Sequence, residues 1–137
     1  MWALQVSQNM VPGQGRLTAI FVSPSEHAAD NPDNITVSPR GGILVCEDGR
    51  GQVIGGRRTF GTRLIGINRD GTSFPFAENN MLIAQPIAGK SSIAPDDYRD
   101  REFAGATFSP AGAYLFVNIQ TPGVTFAIQG PWVRGGL

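Results

Sequence analysis

The chain has 137 residues, enough for one domain with a real core, and its eleven basic residues balance eleven acidic ones. Zero formal net charge gives no electrostatic case for nucleic acid or an anionic membrane surface, and no apolar run approaches the ~20 residues of a spanning helix. Charged residues make up only 16%, against about 25% in an ordinary domain, so part of the surface reads as built to be covered.

Short apolar runs separated by turn chemistry predict an all-β chain, with no helical period anywhere. Trp2 to Val6 alternates large apolar with small or polar residues. This start lacks a charged region followed by an apolar stretch, so no signal peptide is expected and the chain reads as beginning inside a larger protein. Val11-Pro12-Gly13-Gln14-Gly15 turns into a second strand, Arg16 to Val22. Ile35-Thr36-Val37 leads through Ser38-Pro39-Arg40-Gly41-Gly42 to Ile43-Leu44-Val45-Cys46, a hairpin. Cys46 is the only cysteine, which excludes an internal disulfide and leaves the redox compartment open; among apolar neighbours it reads as a small buried hydrophobe. The glycine-rich stretch from Gly49 to Gly61 is expected to be a mobile loop. Arg63 to Ile67, the turn Asn68-Arg69-Asp70-Gly71 and Ser73 to Phe76 form a further hairpin, because glycine tolerates the positive φ such a turn needs. Three more strands are expected at Ala104 to Phe108, Ala113 to Gln120 and Val124 to Ile128.

An internal repeat organises these strands. Residues 35–45, Ile-Thr-Val-Ser-Pro-Arg-Gly-Gly-Ile-Leu-Val, align with residues 106–116, Ala-Thr-Phe-Ser-Pro-Ala-Gly-Ala-Tyr-Leu-Phe, at a constant offset of 71. A Ser-Pro-x-Gly turn joining two strands once per sheet suits successive blades of a β-propeller. The expected fold is therefore an all-β partial β-propeller of about two and a half antiparallel blades. Residues 1–22 are the outer strands of one blade, 33–77 a complete blade, 78–101 an insertion and 102–130 a partial blade. A sandwich of six to eight strands is the alternative that periodicity leaves open. A ring closes only with four or more blades, so unpaired edges predict possible self-association.

Two blocks carry a family resemblance. Asn31-Pro32-Asp33-Asn34-Ile35-Thr36-Val37-Ser38-Pro39-Arg40-Gly41-Gly42, followed by Leu44-Val45-Cys46-Glu47-Asp48-Gly49, resembles the C-terminal region of PhoX-type alkaline phosphatases. So does Glu102-Phe103-Ala104-Gly105-Ala106-Thr107-Phe108-Ser109-Pro110 with Leu115-Phe116-Val117-Asn118-Ile119-Gln120-Thr121-Pro122-Gly123. The resemblance implies a propeller enzyme that hydrolyses phosphate esters with iron and calcium in its central channel, exported by the twin-arginine route. It further implies that Asp33 and Glu102 are metal-ligand acids, with Asn34 beside the first. Other ligands of the family lie in a part not present here, so the isolated chain is expected to be inactive.

The residues alone support those acids modestly. Asp33 and Glu102 each precede the inner strand of a repeat, and such strand starts converge on one mouth of a propeller channel. Hard cations favour carboxylate oxygens. The plainer reading of Asp33 is a turn former within Asn-Pro-Asp-Asn, and of Glu102 a solvated member of the charged run from Asp96. Glu47 and Asp48 read as turn residues, with ligation as the lesser reading. His27 stands alone and reads as surface loop. Arg50, Arg57, Arg58 and Arg63 have the geometry to contact phosphate. The alternative function is a non-catalytic propeller fragment, a calcium-binding or protein-interaction module.

Overall fold

The computed structural model describes residues 1–6, 15–25, 28–135 and 137. Thirteen strands and one 3-10 turn, Trp132–Arg134, form its regular structure, with no α-helix among the described residues. Among the described residues no helix is long and apolar enough to cross a membrane. The all-β expectation holds, and the strands make several small antiparallel sheets, with no closed ring among the described residues. His27 and most of the turn expected at Val11–Gly15 lie outside the described residues.

Strands β1 (Trp2–Val6) and β2 (Gly15–Ala19) form an N-terminal hairpin. The main sheet has four strands in the order β3 (Pro32–Val37), β4 (Ile43–Glu47), β7 (Arg63–Ile67) and β8 (Ser73–Glu78). Between β4 and β7 stands a two-stranded hairpin, β5 (Gln52–Ile54) with β6 (Arg57–Phe60), where a loop was expected. Ile54 pairs with Arg57 across Gly55 and Gly56, whose φ values of 58° and 76° suit a two-residue hairpin turn. The Gly-Gly pair is thus a hairpin signal, and reading it as mobility missed that. Next come the short ladder β9 (Leu82–Ile83) with β10 (Asp96–Asp97), then a three-stranded sheet, β11 (Phe103–Phe108), β12 (Tyr114–Ile119) and β13 (Val124–Gln129).

The repeat is structural as well as sequential. β3 and β11 span equivalent residues, and both carry a register shift in their N-terminal half. The Ser-Pro-x-Gly turns close alike: the N–H of Gly41 donates to the Ser38 carbonyl at 2.9 Å, and that of Gly112 to Ser109 at 2.8 Å. Gly41 and Gly112 have φ of 86° and 67°, which is why glycine closes each turn.

One apolar core joins the two larger sheets. Leu44, Cys46 and Leu64 of the first pack with Phe103, Ala106, Leu115, Val117 and Ile119 around the second. The opposite face of the first sheet, Val45, Ile65 and Ile67, is covered by Phe21 and Ala29 from the segment before it. Strands β4 and β7 are therefore covered on both faces, and β12 on one. This packing sets β11 beside β3 and β4, which brings the start of one repeat against the start of the other.

Candidate metal centre

β3 and β4 run antiparallel with Pro32 opposite Glu47, so the beginning of one strand and the end of the other share an end of the sheet. Asp33 sits at the start of β3, and Asp48 is the first residue beyond β4. Glu102 directly precedes β11. One carboxylate oxygen from each of Asp33, Asp48 and Glu102 lies within 4.8 Å of the other two. Asp33 and Asp48 are exposed and Glu102 is half-buried.

Three like charges at that spacing repel, and the cost falls on the least solvated member. Burial first, then the nearby charges of Asp48 and Asp33 and hydrogen bonding to both, push the Glu102 carboxyl up from 4.5 to about 6. A cation between the three groups would reverse that balance, since the same oxygens form a hard, anionic donor set. The residues therefore fit a hard cation. They supply three donors of the six to eight that calcium takes.

The structure unites Asp33 and Glu102 and adds Asp48, which sequence reasoning had ranked below them. The missed signal was pairing: in an antiparallel hairpin, the residue after the second strand lies beside the start of the first. Asn34 stands outside the trio. Its Nδ2 donates to Asp33 Oδ1 at 2.8 Å, and its Oδ1 accepts from the Gly105 N–H at 3.2 Å. Asn34 and Gly105 are equivalent positions of the repeat, so this side chain ties the two sheets together and orients Asp33.

Glu47, the other lower-ranked acid, is engaged elsewhere. Its Oε2 accepts from the backbone N–H and the Nε of Arg63, both at 2.9 Å. Its Oε1 accepts from Arg63 Nη2 at 2.6 Å and from the Asp30 N–H at 2.8 Å. Glu47 is 1% exposed, and a carboxylate that deep must be paired. The pair also removes Arg63 from the arginines expected to meet phosphate. Arg58 donates to the Arg50 carbonyl at 2.8 Å and approaches Asp97 at 4.0 Å, which fastens the β5–β6 hairpin at its base.

Glu102 is positioned from behind. Thr62 Oγ1 donates to the Arg101 carbonyl at 2.6 Å, and Asn79 Nδ2 donates to the same carbonyl at 3.0 Å and to that of Tyr98 at 2.7 Å. Asn79 is 2% exposed and Thr62 fully buried, so the peptide before Glu102 is held from the main sheet. Cys46 lies in the core below the trio, fully buried, and burial chiefly pushes its thiol up to about 11. It is an inert hydrophobe, as its neighbours implied.

A family model described as alkaline phosphatase PhoX matches residues 4–123. No curated protein and no solved structure matches the chain.

Proposed function

The chain belongs to the PhoX alkaline phosphatase family, and from that membership we propose that Asp33, Asp48 and Glu102 form part of the hard-cation centre of a phosphatase acting on phosphate esters. The observation that carries this reading is the meeting of three carboxylates, from three separate segments, within 4.8 Å. Chance clusters of acids are common on surfaces. This one gathers two residues implied by the family pattern and is built at the junction of two repeats.

Calcium and iron are the proposed ions. Bound there, such ions would polarise a phosphoryl oxygen and lower the pKa of a water. The chain's own contribution is to hold three anionic oxygens at a fixed junction. Asn34 orients Asp33, the Thr62–Asn79 clamp fixes the backbone before Glu102, and the Glu47–Arg63 pair anchors the end of β4 before Asp48. The sheets are read as blades of an incomplete propeller: residues 33–77 one blade, 102–130 part of another, 1–22 the outer strands of a third and 78–101 an insertion. Three donors leave an ion's shell incomplete, so the isolated chain binds weakly and turns over no ester.

That same incomplete shell favours a second reading, a cation-binding or interaction module without catalysis. Elemental analysis by plasma mass spectrometry of the chain at dialysis equilibrium against excess calcium or ferric ion, with the dialysis buffer as blank and beside an Asp33→Ala/Glu102→Ala double variant, tests the shared premise. Calcium or iron retained by the parent and lost in the variant supports the centre. Equal metal content in both sinks it. Hydrolysis of a chromogenic phosphate monoester by the metal-loaded chain, abolished in the variant, would overturn the expectation of inactivity and reject the second reading.

A further inference from the structure

Of the described residues other than glycine, only Asn31 has a positive φ, 49°. Asparagine tolerates that left-handed region better than most residues, because its short polar side chain can bond locally. Asn31 stands between two members of the carboxylate trio. Its backbone leads through Pro32, whose ring fixes φ, to Asp33, and its carbonyl accepts from the Asp48 N–H at 3.1 Å. The residues on either side are tied to the same strand end. The Asp30 N–H donates to Glu47 Oε1 at 2.8 Å, and Pro32 pairs with Glu47. Asp33 then falls at the register shift between Pro32 and Asn34, where it pairs with no residue of β4. A bulge of that kind re-aims a side chain.

The second repeat shows that the hairpin does not itself require this conformation. Glu102 is the counterpart of Asn31 at the offset of 71, and its carbonyl accepts from the Gln120 N–H, just past β12, at 3.0 Å. The same bond thus closes both repeats, yet Glu102 has no positive φ. Residues held in sparsely populated backbone regions persist where their surroundings over-determine them, and they gather at active sites and ligand clamps. We propose that Asn31 is a positioning residue, whose left-handed backbone locks Asp33 and Asp48 together on one side of the cation centre. This role rests on the cation reading of the trio and adds what holds its two exposed acids in place. The side chain of Asn31 is itself exposed, so the backbone conformation carries the role.

Two substitutions separate the backbone from the side chain. Asn31→Gly and Asn31→Ala both remove the amide and differ by one methyl, but only glycine enters the left-handed region freely. The first readout needs no metal: exchange of the Asp48 amide hydrogen, followed by nuclear magnetic resonance. It is expected to stay slow in Asn31→Gly and to run about fivefold faster in Asn31→Ala. The second is calcium affinity by titration calorimetry, expected to stay near the parent's in Asn31→Gly and to be about fivefold weaker in Asn31→Ala. Circular dichroism melts check that both variants are folded at the assay temperature. Equal behaviour of the two variants in both readouts would overturn the proposal. So would faster exchange in Asn31→Ala with unchanged affinity, which makes the bond structural alone. An affinity lost as fully in Asn31→Gly as in Asn31→Ala would overturn it too, by making the amide a ligand. A parent that takes up no calcium rejects the cation reading of the trio instead, and the exchange comparison alone then decides the lock.

Discussion

Strands β4 and β12 are counterparts in the repeat, both central and both built around a fully buried leucine, Leu44 and Leu115. Their surroundings differ. β4 is buried at Leu44, Val45, Cys46 and Glu47 in succession, while β12 alternates, with Leu115, Val117 and Ile119 inside and Tyr114 and Phe116 outside. The main sheet has Phe21 and Ala29 over its second face, and among the described residues the three-stranded sheet has no such cover, with Tyr114 41% and Phe116 39% exposed. Burial on both faces is a property of neighbours, and a strand's own residues only permit it. The same contrast separates the acids. Glu47, inside the doubly covered sheet, had to be paired with Arg63. Asp48, one residue on, reaches the open end and stays available to an ion.

The sharpest break of that contrast is to strip Glu47 of its partner. Arg63→Met leaves a buried carboxylate uncompensated and is expected to cost about 3–5 kcal/mol, read as a lower urea midpoint. The contrast also states that both sheets share one core. Leu44→Ala and Leu115→Ala should therefore each cost about 2–5 kcal/mol within a single unfolding transition. A second transition for Leu115→Ala alone would mean that the three-stranded sheet folds separately.

Loosening the clamp behind Glu102 should have a smaller effect. Asn79→Ala leaves the Tyr98 carbonyl without its side-chain donor and is expected to cost about 1–3 kcal/mol, with weaker calcium binding by calorimetry although no ligand is touched. The smallest effect is in pH. The Glu102 pKa of about 6 in the folded chain lies above its ordinary 4.5, so the folded state holds the proton more tightly. Its contribution to stability is present below pH 4.5 and is lost as pH rises through 6. Thermal melts without added metal should show that decline, and Asp48→Asn should flatten it.

Much of this was legible in the sequence. The strands of the two larger sheets follow from alternation and turn residues, and the repeat located β11 and β12 from β3 and β4, whereas the β5–β6 hairpin and the β9–β10 ladder were not expected. Asp33 and Glu102 could be named from the family pattern, to which their place at the start of each repeat adds modest support. The remainder depended on contacts between distant segments. Asp48 enters the trio through antiparallel pairing, and Glu47 leaves it because Arg63, sixteen residues on, occupies both its oxygens. No local pattern distinguishes two adjacent acids at a strand end when one faces a buried arginine and its neighbour faces an opening.

The measurement that most directly tests the carboxylate trio is a carbon-13 nuclear magnetic resonance titration of the Glu102 carboxyl, without and with calcium. The expected result is a midpoint near 6 in the metal-free chain that moves to lower pH as calcium is added. A midpoint at the ordinary 4.5 that calcium does not shift would contradict the convergence of Asp33, Asp48 and Glu102 on a common ion.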